Sequence, residues 1–483
     1  MKDKPTQQPI LWGVMGGSFF LFFACSVIRH LLFQSNAYDL GWFDQLVYLV
    51  SVGLPPVVSF AGDYHLLGDH VAVILYPLAL FYKVYPSVYW LLGVQALALA
   101  GSGGLVWQLA RREGLAKPDS WLMVGVYYLY PLVFNVNLYD FHPEVLAFPA
   151  LLGAIGIVRS HRISAGESRH QPRWRDILGF IFCLLVILSC KAVLSLTVAA
   201  LGFWALCLEK RPLYGILAIS GGIAWFLATT QWIIPQFSGM EAAAVGRYSY
   251  LGDSVLEIAL NVFLKPHLVW GHLLSLSSLE YFLLLFVPVF WGIRWPNLSP
   301  LVATLPTLAI NLLSDNFNQR NLVQQYSVPL FPFLLLTLIL ALSQDQLWVK
   351  SRKFILVWSV LGFLCLAKYS YFGSVYLRKI DTWEANRQAI ALIPPHASVI
   401  APSGIVPHLT HRPLIQLPRE ELTPQQVSQF DAILLDQRHP DFGSSPDAIA
   451  RLRQYCQNDP HLTLTFSQDE VLLFQHLGEK TGT

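Results

Sequence analysis

Residues 10–45 read ILWGVMGGSFFLFFACSVIRHLLFQSNAYDLGWFDQ. From Ile10 to Phe33 the run is apolar for long enough to cross a bilayer, which takes about 20 such residues. Bulky Phe22 and Phe23 before Cys25 fit a lipoprotein cleavage site poorly, so the stretch reads as an uncleaved first helix. Directly after it stands Tyr38-Asp39-Leu40-Gly41-Trp42-Phe43-Asp44-Gln45, two carboxylates among aromatic rings. An apolar span thus opens into a polar, aromatic-rich loop, and the same alternation recurs along the rest of the chain.

The whole chain has 483 residues, of which 54% are hydrophobic and 13% charged, a balance far outside the soluble range. A net charge of +2 excludes nucleic acid as a partner class and leaves membrane lipid. Five cysteines (Cys25, Cys183, Cys190, Cys207, Cys365) lie in apolar runs and Cys456 has no CxxC partner, so neither a disulfide framework nor a zinc site is expected. Further spans are predicted at 87–110, 119–138, 143–159, 177–190, 192–208, 212–235, 279–294, 297–314, 325–343 and 354–372, making about eleven with the first. Cationic side chains resist translocation and so mark cytoplasmic loops. Alternating the spans puts Lys2 and Lys4; Arg111, Arg112 and Lys117; Arg162, Arg169, Arg173 and Arg175; Lys210 and Arg211; Arg294; and Lys350, Arg352 and Lys353 on one side. The N-terminus is then cytoplasmic, and the protein is a multi-pass component of the cell (plasma or inner) membrane.

The stretch 177–208 is too long for one crossing and has basic loops at both ends, so it reads as a hairpin with Lys191 at its outer turn. His70 to Tyr85 reads as an interfacial helix on the outer surface, because counting it as a span would export Arg111, Arg112 and Lys117. The expected fold is mainly α: a polytopic transmembrane helical bundle over 1–379, with an outer first loop at 34–86 and another at 236–278. After about residue 380 charge and proline rise and the apolar runs shrink to strand length. Residues 380–483 therefore read as a small extracytoplasmic α/β domain, with strands near 397–401, 430–435, 462–466 and 471–474 and a helix near 446–455.

Polar residues gather on the outer face. Asp39 and Asp44 are candidate catalytic carboxylates, since partial desolvation beside a membrane tunes such groups toward general-base work; helix capping is the competing reading. In Gly62-Asp63-Tyr64-His65-Leu66-Leu67-Gly68-Asp69-His70, His65 and Asp69 share a face if helical, and with His70 they are candidate ligands for a divalent cation, Mg or Mn. A hydrogen-bonded surface cluster is the alternative. Asp140, His142 and Glu144 crowd the start of the fourth span around Pro143, as binding groups or as a capped helix start. Lys191 reads either as a phosphate ligand or as a snorkelling cation. Arg247 and Arg320 are phosphate-ligand candidates in outer loops.

With those clusters placed, the chain resembles a widespread prokaryotic membrane-protein family of unknown function grouped with the C-type (GT-C), polyprenyl-dependent glycosyltransferases. The resemblance rests on the motif at 38–45, Gly68-Asp69-His70-Val71, Tyr139-Asp140-Phe141-His142-Pro143-Glu144, and Pro407-His408-Leu409-Thr410-His411-Arg412-Pro413. The family often carries Lys-Glu-Asp at the hairpin, where this chain has Lys191-Ala192-Val193. The resemblance implies a GT-C-like bundle and a hexosyl or pentosyl transferase that moves a sugar from a polyprenyl-phosphate donor to an extracytoplasmic acceptor. Asp39 resembles the family's acidic residue after the first span and Asp69-His70 its second acidic motif; a mechanism can then be written in which Asp39 is the base, Asp44, Asp69 or His70 orients the acceptor or holds a cation, and Lys191, Arg247 and Arg320 neutralise the leaving phosphate. A non-catalytic scaffold or assembly protein is the alternative reading. A transporter ranks behind it, because the mid-span interior is nearly free of charge and no internal repeat is visible.

Overall fold

The computed structural model describes residues 8–160 and 173–476. Lys2, Lys4, Arg162 and Arg169 of the expected cytoplasmic clusters lie outside the described residues. The chain forms two compact units, one from Met1–Phe23, Leu67–Ile74 and Gly93–Lys368, the other from Ala24–Leu66, Leu75–Leu92 and Tyr369–Thr483. The stretch 34–86, expected to be the first outer loop, is thus divided between them.

The first unit is helical. Five helices, Pro9–Leu31 (which runs on into the second unit), Tyr89–Arg112, Pro143–Ser160, Pro212–Ser238 and Gln325–Ser343, are long and apolar enough to cross a bilayer. Three bent pairs raise the number to eight: Lys117–Leu129 with Pro131–Leu138, Pro266–Leu273 with Leu276–Gly292, and Arg352–Leu366 with Lys368–Leu377. At the first bend the cause is local, because Pro131 has no N–H to continue the helix and Tyr130 before it is extended, with φ −71° and ψ 123°. The other three expected spans fall on shorter helices, Trp174–Cys190, Leu194–Leu208 and Ser299–Leu313. Trp174–Cys190 has 17 residues, about 25 Å of helix against a hydrocarbon core of about 30 Å.

Small residues let two of these helices touch backbone to backbone. A Cβ on Gly222 would lie 2.6 Å from Ser195 O and 2.7 Å from Ala199 N, and one on Gly202 would lie 2.6 Å from Ile219 N. Leu194–Phe203 and Pro212–Ala228 therefore pack as closely as their peptide groups permit, the usual solution where lipid supplies no hydrophobic drive between helices. At one end of this unit Arg159 reaches Glu113 at 2.5 Å and Glu209 at 2.7 Å, all three buried or nearly so. That triad gathers the ends of Tyr89–Arg112, Pro143–Ser160 and Leu194–Leu208 on one side, and Arg352 likewise pairs with Asp119 at 2.5 Å.

The second unit holds a five-stranded mixed sheet. Val399–Ile400 lies between Ile415–Gln416 and Ala432–Asp436, parallel to both; Ala432–Asp436 pairs antiparallel with Val471–His476, which turns back on Leu462–Gln468. The helix Pro446–Asn458 covers it through Ile449, Leu452 and Cys456, packed on Ile433, Leu435 and Phe474. The strand Ile415–Gln416 is absent from the expected set. Of the expected interfacial stretch only Leu75–Val84 is helical; its buried face is Leu75, Leu78, Ala79 and Tyr82, while Leu80 and Val84 are exposed.

Candidate functional site

In the first unit the site begins with the segment Leu67–Ile74. It is stitched to the break between Trp174–Cys190 and Leu194–Phe203 by two backbone bonds, Ala192 N to His70 O at 3.0 Å and Ile74 N to Ser189 O at 2.9 Å. Beneath them Val71, Ala192 and Ile234 form a small apolar cluster. Val71 sits at φ 51°, a left-handed conformation that a β-branched residue adopts at a cost on the order of 1–3 kcal/mol. The strained turn aims Asp69 and His70 to the same place, where His70 Nδ1 lies 2.5 Å from Asp69 Oδ2.

Lys191 stands at the helix break in extended conformation, φ −164° and ψ 143°, and its ammonium donates to Glu144 Oε1 at 2.6 Å. Glu144 lies in the first turn of Pro143–Ser160, where the helix dipole favours an anion. Burial by itself would raise the Asp69 carboxyl, but His70, then Lys191 and Arg247, hold it down at about 2. The Arg247 guanidinium lies over the Tyr326 ring, 5.6 Å from its centre. Asp69, His70, Glu144, Lys191 and Arg247 thus act electrostatically on one another, two carboxylates against three groups that carry or accept positive charge.

Asp140 and His142 are held next to that cluster by a residue the sequence patterns do not single out. Gln95, fully buried within an apolar run, donates to Asp140 O at 2.7 Å and accepts from His142 N at 2.9 Å. Asp140 has φ 71°, so Gln95 braces a left-handed turn just before the Glu144 helix. A lone amide in a spanning segment must find partners, and that was the available signal. Tyr139, whose ring stacks on His142, accepts from Gln324 Nε2 at 2.7 Å. Arg320 has different company: it donates to Asn311 O and Leu312 O at 3.4 Å, and to Ser314 O, closing the end of the helix Leu305–Leu313.

The second unit holds the other carboxylates. Asp39 lies in a single wide turn, Ala37–Gly41, capped by Asn36. The Asn36 side chain accepts from Asp39 N at 3.1 Å and donates to Asp39 Oδ2 at 2.5 Å, so Asn36 helps to orient the half-buried carboxylate. Asp44, in the first turn of Trp42–Ser51, is fully buried. It accepts from the Tyr82 and Thr410 hydroxyls and pairs with His411 at 3.2 Å. The motif at 38–45 and the phrase at 407–413 therefore meet, and Gln45 adds a bond to Arg412 O at 3.1 Å. Burial opposes a charge on His411, but Asp44 outweighs it and raises the imidazole above its ordinary value. His408 has no such carboxylate bond, and burial pushes it down to about 4.

His65 sits on the two-residue strand Tyr64–His65, paired with Val57–Val58, and Gly62 and Asp63 before it have positive φ. The segment 62–70 is not helical, so the shared helical face expected for His65 and Asp69 does not form. Among the described residues no group of three or more His, Cys, Asp or Glu side chains could hold a metal ion.

The fold has precedent. The crystal structure of ArnT from Cupriavidus metallidurans bound to undecaprenyl phosphate matches 99% of this chain and 100% of its own at TM-score 0.57 and 13% identity. The apo structure matches 97% and 99% at TM-score 0.54 and 12% identity. At that identity the likeness is one of fold. No curated protein matches the sequence. A family described as "Predicted membrane protein (DUF2079)" matches residues 29–473. With a match over nearly its whole length, this chain belongs to that family of membrane proteins.

Proposed function

We propose that this protein transfers a sugar from a polyprenyl-phosphate donor to an acceptor on the outer face of the cell membrane. The observation that carries the reading is the charged cluster at the Lys191 helix break, with His70, Lys191 and Arg247 gathered about Asp69 and Glu144. A lipid phosphate arriving there would compete with Glu144 for Lys191 and find Arg247 beside it. A fold shared with a protein crystallised on undecaprenyl phosphate supports the same ligand class. In the reaction Asp39 takes the proton of an acceptor hydroxyl as its oxygen bonds to the anomeric carbon. The bond from that carbon to the phosphate oxygen breaks, and the phosphate leaves with the electron pair, its charge met by Lys191 and Arg247. Asp44, buried against Tyr82, Thr410 and His411, serves as a positioning residue, while Asp69, His70, Asp140, His142 and Glu144 set the binding groups in place. Arg320 contributes by fixing its loop. No step is assigned to a divalent cation, since among the described residues no group of three or more His, Cys, Asp or Glu side chains could hold one. Eleven crossings, a cytoplasmic N-terminus and an extracytoplasmic C-terminal domain complete the proposed topology.

A non-catalytic scaffold of the same fold is the second reading, favoured by one observation: Glu144 already neutralises Lys191. Removing Lys191 alone would strand a buried carboxylate, at about 3–5 kcal/mol. The discriminating variant is therefore Lys191→Met with Glu144→Gln, which removes both charges. Undecaprenyl phosphate at about a hundred times its Kd is expected to stabilise the detergent-purified wild type by roughly 2.7 kcal/mol, and the unphosphorylated polyprenol to do nothing. The double variant is expected to unfold at the wild-type temperature yet give no response to the lipid phosphate. Equal stabilisation of both proteins would sink the assignment of the site, and indifference of the wild type would leave the scaffold.

A further inference from the structure

A cleft of about 690 Å³ opens in the second unit, lined among others by Tyr38, Gln416, Arg419, Glu420 and Glu421. Its walls are fixed. Arg419 donates to Tyr38 Oη at 2.9 Å and to Phe60 O at 2.8 Å, while Glu420 accepts from Ser445 at 2.6 Å. Glu421 has no hydrogen bond or ion pair among the described residues, so its carboxylate remains available to a ligand. Next to Tyr38, edge-on at 5.4 Å, stands Phe442, a large aromatic ring that is 75% exposed.

Such exposure normally marks a loose loop, and this loop is pinned. Asp441, just before the ring, is gripped by Lys379 at 2.6 Å and by Gly404 N at 2.9 Å. Gly443, just after it, has φ 85°, and a Cβ there would press to 3.1 Å against Tyr38. Ser444 then donates to Pro418 O at 2.6 Å. Holding an apolar ring in water on a rigid support gives nothing to the fold. It does serve a ligand, because a preplaced aromatic surface loses little entropy on binding.

We propose that this cleft binds a neutral saccharide, with Phe442 stacking on the apolar face of a sugar ring and Glu421 and Gln416 bonding its hydroxyl groups. The charges point to a neutral ligand: two carboxylates face one guanidinium whose bonds are already made, which repels phosphates and sulfates. Amide, carboxylate and ring are the groups that match alternating hydroxyls and C–H faces, and the volume lies in the range of small-molecule sites. In the transferase reading, on which this further assignment rests, the cleft is where a glycan acceptor is held.

The test is saturation-transfer NMR on the full-length protein in detergent. The probes are the methyl glycosides of glucose, galactose, mannose and N-acetylglucosamine, their disaccharides, and glucose 6-phosphate as the charged comparator. At least one neutral sugar is expected to bind saturably and the phosphate to bind more weakly. Phe442→Ala, a change at an exposed position that leaves folding alone, is expected to weaken binding about tenfold, or ~1.4 kcal/mol, and Glu421→Gln to weaken it severalfold. No saturable sugar in the panel, or binding indifferent to both substitutions, overturns the proposal. Sugar binding lost in Phe442→Ala while undecaprenyl phosphate evokes no response keeps the saccharide cleft and removes the transferase reading. A lipid-phosphate response without sugar binding does the reverse.

Discussion

Asp39 and Asp44 stand five positions apart in a motif where sequence alone treats them alike, and their surroundings divide them. Asp39 is half-buried with its carboxylate turned by Asn36, whereas Asp44 is fully buried and joins Tyr82, Thr410 and His411. Asp44→Ala is therefore expected to lower stability by about 3–5 kcal/mol, the cost of breaking a buried pair. Asp39→Asn is expected to shift it by less than about 0.5 kcal/mol while abolishing transfer. Thermal melts of the two variants check the division, and a melt of Asp44→Ala that coincides with wild type would refute it. The two imidazoles set opposite pH limits. His408, held neutral with its pKa near 4, contributes stability that is complete above about pH 6.5 and is lost as pH falls toward 4. His411, raised by Asp44, contributes stability that is complete below about pH 6.5 and is lost as pH climbs through its own higher value. Melting temperature should peak near neutrality, and in His411→Gln the alkaline decline should flatten while the acid one stays.

Elements were legible where they announced themselves by length. Runs of about 20 apolar residues sit on helices, and the motif at 38–45 and the cluster at 139–144 both stand at helix starts. What stayed hidden was set by contacts distant in sequence or by elements too short to have a period. Ile415–Gln416 spans two residues, which no alternation can reveal. Thr410 reaches Asp44 across 366 positions, and nothing in either motif names the other. Gln95 was readable in principle, as an amide that lipid could not satisfy. The paired helices Leu194–Phe203 and Pro212–Ala228 offer the sharpest test at this scale. Gly222→Leu puts a side chain where Ser195 O already stands and is expected to cost about 1–3 kcal/mol or more. Gly221→Leu, with no atom within 4 Å of its Cβ, should be silent. Comparable losses for the two neighbours would mean that the helices do not meet on this face.

At the scale of the whole molecule, the proposed topology rests on the pattern of cations along the sequence. Arg159 brings Glu113 and Glu209 to one end of the first unit, next to residues that the excess of cations assigned to the cytoplasm. That assignment is testable in living cells. With the native cysteines replaced, Lys210→Cys should react with a membrane-impermeant maleimide only after permeabilisation, and Phe442→Cys should react in intact cells. The reverse pattern would invert the topology and with it the side on which any transfer takes place.

The second unit is assembled from both ends of the chain, and this has a consequence for biogenesis. Residues 24–66 emerge first, while Thr410 and His411, which complete the environment of Asp44, are synthesised some 366 positions later. At ordinary elongation rates that is a wait of roughly 20–70 s, during which a loop destined for a folded core stands exposed with its acidic motif unpartnered. A ribosome that stalls between Lys368 and Thr410 leaves the residues of the first unit made and Asp44 still without the Thr410 and His411 that complete its surroundings.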